Sequence, residues 1–260
     1  MLVLLPPSEG KATATRRRRP VDLAALSWPE LTAARSTVLA RLSEVSARPD
    51  ALSLLGVGPS LADEVERNTR LLRAPALPTS ELYTGVLYDA LDLGSLPPAA
   101  RRRASRWLVV VSALWGALRP ADRVPAYRLS MGTSLPDVGP LAAFWRAHLD
   151  GPLSGAAGTA LVVDARSSTY QAAWSPSGPV AARAVAVRVL REEAGRRSVV
   201  SHMAKHTRGL VARHLLTRDG REPRTPRALA AAVGEVFCCE LTAPARAGAS
   251  WTLDIVIREG

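Results

Sequence analysis

The chain opens on an unbroken apolar run, Leu2 to Leu5, stopped by Pro6-Pro7. That pattern predicts a short strand buried on both faces, followed by a polar turn at Ser8-Glu9-Gly10-Lys11. A second run, Trp107 to Ala113, reads the same way and carries Ser112 near its end. Shorter strands are expected at Leu161 to Asp164, Ala184 to Leu190, Ser198 to Ser201 and Trp251 to Ile257. Between them apolar positions recur with helical spacing. Leu31, Ala34, Val38, Leu42 and Val45 predict a helix that Pro49 ends, and Leu61, Val65 and Leu72 predict another that starts near Ser60. Further helices are expected at Leu141 to Leu149, Met203 to Leu216 and Pro226 to Val233. The expected fold is α/β of the mixed, α+β kind: one domain over 1–260, a mixed sheet covered by helices, with a helical insert at about 30–75.

Apolar residues make up 47% of the chain and charged residues 22%, which excludes a disordered polyelectrolyte. No basic leader precedes the first apolar run, and no apolar stretch approaches the ~18 residues of a membrane span, so a cytoplasmic protein without membrane attachment is expected. Cys238 and Cys239 are adjacent, a poor arrangement for a structural disulfide, and packing as small apolar side chains is the expected role. The net charge of +11 attracts polyanions, nucleic acid first, although a coding preference for arginine produces the same balance. The run Arg16 to Arg19 is a solvated loop or an arm touching phosphates. Within this bias the 34 basic residues include only two lysines, Lys11 and Lys205. Lysine presents a compact ammonium and loses its proton when desolvated, which arginine does not, so both are site candidates.

The segment Leu54 to Ala62 places Gly56-Val57-Gly58 between two helices, with Ser60 available as an N-cap. Glycines let backbone N–H groups converge on one phosphate oxygen, and the following helix adds a positive end. Arg67, Arg70 and Arg73, spaced by three, would extend the contact to neighbouring phosphates. The competing reading is a tight turn and nothing more. Further on, Tyr83 to Tyr88, Ser112 to Pro120 and Pro125 to Thr133 combine glycines with polar side chains. Meeting at the strand ends, these loops would line a cleft for an anion or nucleotide.

The opening Leu4-Leu5-Pro6-Pro7-Ser8-Glu9-Gly10-Lys11 resembles the N-terminal signature of the YaaA peroxide-stress family. Tyr83 to Tyr88, Ser112 to Pro120, Pro125 to Thr133 and the stretch from Ser201-His202 through Lys205 to Arg208-Gly209 and Arg213 match in family order, over essentially the whole chain. The segment Asp164 to Tyr170 departs from the family pattern, as does His206. The resemblance implies a cytosolic protein of the peroxide response that limits iron-dependent damage. It also implies sequence-independent DNA binding through a helix-hairpin-helix and a positive cleft, and Lys11, Arg119, Arg128, Thr133, His202, Lys205, Arg208 and Arg213 are the cleft candidates. The alternative is an enzyme acting on a nucleotide or damaged nucleic acid, with Lys205 or Lys11 as base or nucleophile and Tyr83 or Ser8 assisting proton transfer. No cofactor is expected. His202 and His206 lie four apart without the third ligand a metal needs, so no metal site is expected either.

Overall fold

A computed structural model describes residues 1–14, 18–193, 196–198, 201–246 and 248–258. Strand β1 (Leu2–Leu5) pairs in parallel with β3 (Leu108–Ser112) on one side and β8 (Val162–Asp164) on the other. Next to β8 lies β9 (Ala184–Glu193), then β12 (Trp251–Arg258), both parallel to it. Antiparallel strands close the edges: β4 (Gly116–Leu118) on β3, β11 (Cys239–Thr242) on β12, and β10 (Arg196–Ser198) on the far end of β9. The order β11-β12-β9-β8-β1-β3-β4 is therefore mixed, as the alternation of runs implied. Two small ladders lie outside it, β2 (Leu77–Pro78) with β5 (Arg123–Val124) and β6 (Ser134–Leu135) with β7 (Gly139–Pro140).

Helix α1 (Thr32–Ser46) ends where the spacing placed it, and α2 (Ala51–Leu55) leads into the glycine turn. A 3₁₀ turn over Pro59–Leu61 precedes α3 (Ala62–Arg67), and a second 3₁₀ turn follows at Asn68–Arg70. The tighter winding shifts the apolar phase, so Leu71 is buried while Leu72, expected inside, is 54% exposed. Ser60 makes no capping bond. The chain continues through α4 (Thr79–Leu82), α5 (Val86–Leu91) and α6 (Pro98–Trp107). Trp107 is thus the last residue of a helix and not the first of a strand. The small residues Ala100 and Ala104, which with Trp107 form the buried face of α6, carry too weak a periodic signal to announce it.

Helix α7 (Leu141–Ala157) runs well past Leu149 in spite of Pro152, because Trp145, Leu149, Leu153 and Ala157 continue one buried stripe. After the single turns α8 (Ser168–Gln171) and α9 (Gly178–Ala181) come α10 (Ser201–Thr217) and α11 (Pro226–Gly234). Of the strand expected at Ser198 to Ser201, residues 199 and 200 lie outside the described residues, and Ser201 opens α10. In the run Arg16 to Arg19, Arg16 and Arg17 lie outside them too, while Arg18 pairs with Glu81 at the surface. Cys239 is half-buried as expected, but Cys238 is exposed.

Helices α5, α6 and α10 pack together on the sheet, and α7 packs against β4. Gly209 sets the closest approach: a Cβ there would run into the Leu87 carbonyl of α5 and lie 2.9 Å from the Ala90 Cβ. Gly209→Ala is therefore expected to destabilise the chain by about 1–3 kcal/mol in urea unfolding. Gly155→Ala, at an α7 position where a Cβ meets nothing within 4 Å, should be neutral or stabilising.

Candidate functional site

Since β1, β3 and β8 are parallel and in near register, the segments leaving them at Pro6, Ala113 and Ala165 emerge on one edge of the sheet. The segment after β1 turns at Ser8 and pairs with the residues around Tyr83: Ala12 N–H donates to the Leu82 carbonyl at 2.8 Å and Thr84 N–H to the Gly10 carbonyl at 3.3 Å. Ser8 closes this turn. Its hydroxyl accepts from Thr84 N–H at 3.1 Å and donates to the Gly10 carbonyl, so it is committed to the backbone and not free to relay protons.

The turn holds the Lys11 amine. Nζ donates to the Ser8 carbonyl at 2.8 Å and the Glu9 carbonyl at 3.3 Å, and sits 4.3 Å from the centre of the Tyr127 ring and 5.7 Å from that of Tyr83. Burial pushes its pKa down to about 7; Arg128 acts in the same direction, and Glu64 and Glu9 oppose it. Beneath the amine lies a chain of hydroxyls. Ser112 accepts the N–H groups of Leu114 and Trp115, stands 2.7 Å from the Tyr127 hydroxyl, and that hydroxyl is 3.1 Å from the one on Tyr83. Tyr88 stacks on Tyr83 with ring centres 5.3 Å apart and donates to the Pro6 carbonyl at 2.7 Å. Burial raises all these phenols, and pushes Tyr170, coupled to the same group, up to about 12. Tyr83, Tyr88 and Tyr127 thus form one neutral wall.

A cavity of about 160 Å³ opens beside the amine, lined by Lys11, Thr13, Glu64, Arg67, Ala126 and Tyr127. Glu64 and Arg67 come from α3, one turn beyond the glycine hairpin. Arg128 donates through Nε and Nη2 to Glu64 Oε2 at 2.8 and 2.5 Å, while the buried Asn68 pairs with the Arg128 backbone at 2.9 Å in both directions. These bonds join the helical insert to the Pro125–Thr133 segment. The hairpin and the amine, separate in the sequence, belong to one continuous region.

In the hairpin Gly56 has φ of +64° and ends α2, with its N–H and that of Val57 returning to carbonyls of the helix. Gly58 has an ordinary φ of −76°, and a Cβ on it would meet nothing within 4 Å. The amides of Gly58 and Ser60 make no hydrogen bond among the described residues. Of the neighbouring arginines, Arg67 borders the cavity, Arg70 is paired with Glu66 at 2.8 Å, and Arg73 is exposed.

The remaining candidates do not line this cavity. Arg119 stacks on Trp28 and donates to the carbonyls of Arg106 and Leu108, at the opposite end of β3 from Lys11. Arg213 closes the end of α5 by donating to Leu91, Asp92 and Ser95. Thr133 is buried, and its backbone bonds to Ser130 and Leu141. Arg208 reaches the Val187 carbonyl at 3.4 Å, and burial lowers its pKa against the pull of Asp164. Lys205, His202 and His206 are exposed on α10, the two histidines beside an apolar groove with Val236 and Phe237. Glu64, Asn68 and the seating of the amine on Tyr127 emerge only in the tertiary structure. The chain has only four tyrosines, a scarcity that singles out Tyr127 in the sequence.

The profile of the peroxide stress protein YaaA family matches residues 1–234. The chain belongs to that family. A UPF0246 protein of Streptomyces coelicolor is 51% identical over all of this chain and 99% of its own length. UPF0246 proteins of Corynebacterium efficiens and Corynebacterium glutamicum are 42% and 40% identical over 84% and 86% of the chain, and 85% and 88% of theirs. In this YaaA-family chain the N-terminal signature is the turn that seats Lys11, and the Tyr83 and Tyr127 segments are its walls.

The lowered pKa gives a direct test. The Lys11 amine is uncharged in the folded chain above about 7 and charged in the unfolded chain up to its ordinary 10.5. Folding therefore releases a proton between those values, and this group's contribution makes stability rise with pH across that window. With Lys205→Arg leaving one lysine, the ¹⁵Nζ resonance is expected to titrate near 7 in the folded protein. A midpoint near 10.5 would show that the ring and the two carbonyls hold the ammonium.

Proposed function

We propose that this chain is a DNA-binding protein of the peroxide-stress response, gripping the phosphate backbone without regard to sequence through the Gly56–Ser60 hairpin and Arg67. The observation that carries the reading is Gly58. Neither its φ nor any neighbour requires glycine there, and a side chain would project into open space. A phosphate approaching the free amides of Gly58 and Ser60 supplies the missing reason, since a Cβ would stand in its way. Helix α3, six residues long, adds little dipole, so the grip rests on the amides and the guanidinium. The net charge of +11 draws the duplex in from a distance. Protection during peroxide exposure then follows from occupancy of DNA, the target of iron-dependent damage.

Gly58→Ala separates this reading from a simple turn. Removing the backbone freedom of the unfolded chain should leave stability unchanged or raise it by about 0.4–1 kcal/mol. Duplex affinity, followed by fluorescence anisotropy, should fall about ten-fold or more, the equivalent of one lost charge-assisted contact. Wild-type binding should weaken steeply with salt and be equal for unrelated duplexes. A Gly58→Ala variant that binds like wild type would place DNA away from the hairpin.

A further inference from the structure

We propose that Lys11 is a nucleophilic amine that forms an imine with an aldehyde carried on a phosphodiester chain, the open-chain sugar of an abasic nucleotide being the class that fits the cavity. The substrate rests on the DNA-binding reading; the amine chemistry does not.

The geometry argues for it in three ways. A neutral amine has two hydrogens, and the carbonyls of Ser8 and Glu9 take both, so the lone pair is the one valence not tied to the protein. The cavity beside it measures about 160 Å³, well below the ~300–1,000 Å³ of a drug-sized site, which admits a sugar fragment and excludes an intact nucleoside. Its lining supplies a proton carrier. Arg128 occupies only Oε2 of Glu64, and Oε1 has no hydrogen-bond partner among the described residues. Arg67 on the same wall, with the hairpin one turn back along α3, is placed to hold the flanking phosphates. The amine's lowered pKa keeps a large fraction of it unprotonated near neutrality.

In the reaction the Nζ lone pair adds to the aldehyde carbon, and the carbonyl π pair moves to oxygen, which takes a proton. The carbinolamine then loses that oxygen as water while the C=N bond forms. Glu64 accepts the proton leaving nitrogen and returns one to the departing hydroxyl. Overall, one amine, one aldehyde and one proton from solvent give one iminium ion and one water.

The test incubates the full chain with a duplex containing a single abasic site and sodium cyanoborohydride, which reduces the iminium to a stable amine. The expected result is a covalent adduct that peptide mass spectrometry maps to Lys11. A duplex with a tetrahydrofuran at the same position, which has no aldehyde, should give none. Lys11→Arg and Lys11→Ala should each lower the adduct at least about ten-fold, since a guanidinium keeps its proton and a methyl has no nitrogen. Circular dichroism on both variants guards against misfolding. Anisotropy with the tetrahydrofuran duplex reports DNA binding separately. If DNA does not bind but free 2-deoxyribose 5-phosphate is trapped on Lys11, the amine reading stands and the DNA reading falls. No adduct with bound DNA, or an adduct on Lys205 or the N-terminal amine, overturns the proposal.

Discussion

Everything in this molecule depends on four residues, Leu2 to Leu5, being buried on both faces between two parallel neighbours. Each of their side chains is essentially inaccessible, and burial of a leucine or valine contributes roughly 1.5–3 kcal/mol, so the register of β1 against β3 and β8 is firmly held. Parallel register has a geometric consequence. It delivers three segments to the same edge, and the polar backbone exposed by leaving the sheet must find partners there. The Ser8 to Lys11 turn is one solution: it pairs with the Tyr83 segment and turns two carbonyls onto its own lysine. An amine becomes trapped between carbonyls and aromatic rings because the strand before it is fully buried.

The positive charge of the chain is spent less freely than its total suggests. Arg35, fully buried in α1, donates to the carbonyls of Trp115, Ala117, Ser27 and Trp28, and burial lowers its pKa to about 10. Arg166 is equally buried, held by both oxygens of Asp164 and donating to the carbonyls of Tyr170 and Trp174. Arg119 and Arg213 likewise serve carbonyls at element ends. A guanidinium with five donors suits this work, because it satisfies several buried acceptors at once. Much of the arginine content is therefore structural, so the net charge of +11 sets the long-range attraction while direct contacts to a polyanion fall to the remaining exposed arginines. At Lys11 a guanidinium would bring more donors than the two carbonyls accept and would keep its charge, which explains a lysine surviving there in an arginine-rich chain.

The sequence by itself determined the central place of the two apolar runs and most of the parallel strands and longer helices, and it singled out Lys11 and the glycine hairpin as candidates. Those features are local, written in hydrophobic period, in proline stops and in the scarcity of lysine and tyrosine. Only the tertiary structure decided which polar residues meet. Glu64 joins Lys11 because Asn68 and Arg128 tie the insert to a loop some sixty residues away, while Arg119, carried back along β4, ends at the opposite side of the sheet. Helix α6 escaped notice because alanines bury its face, and the phase of Leu71 and Leu72 was lost because a 3₁₀ turn changes the period. Side-chain type states what a residue is able to do; strand register and long-range hydrogen bonds determine whether it has a partner to do it with.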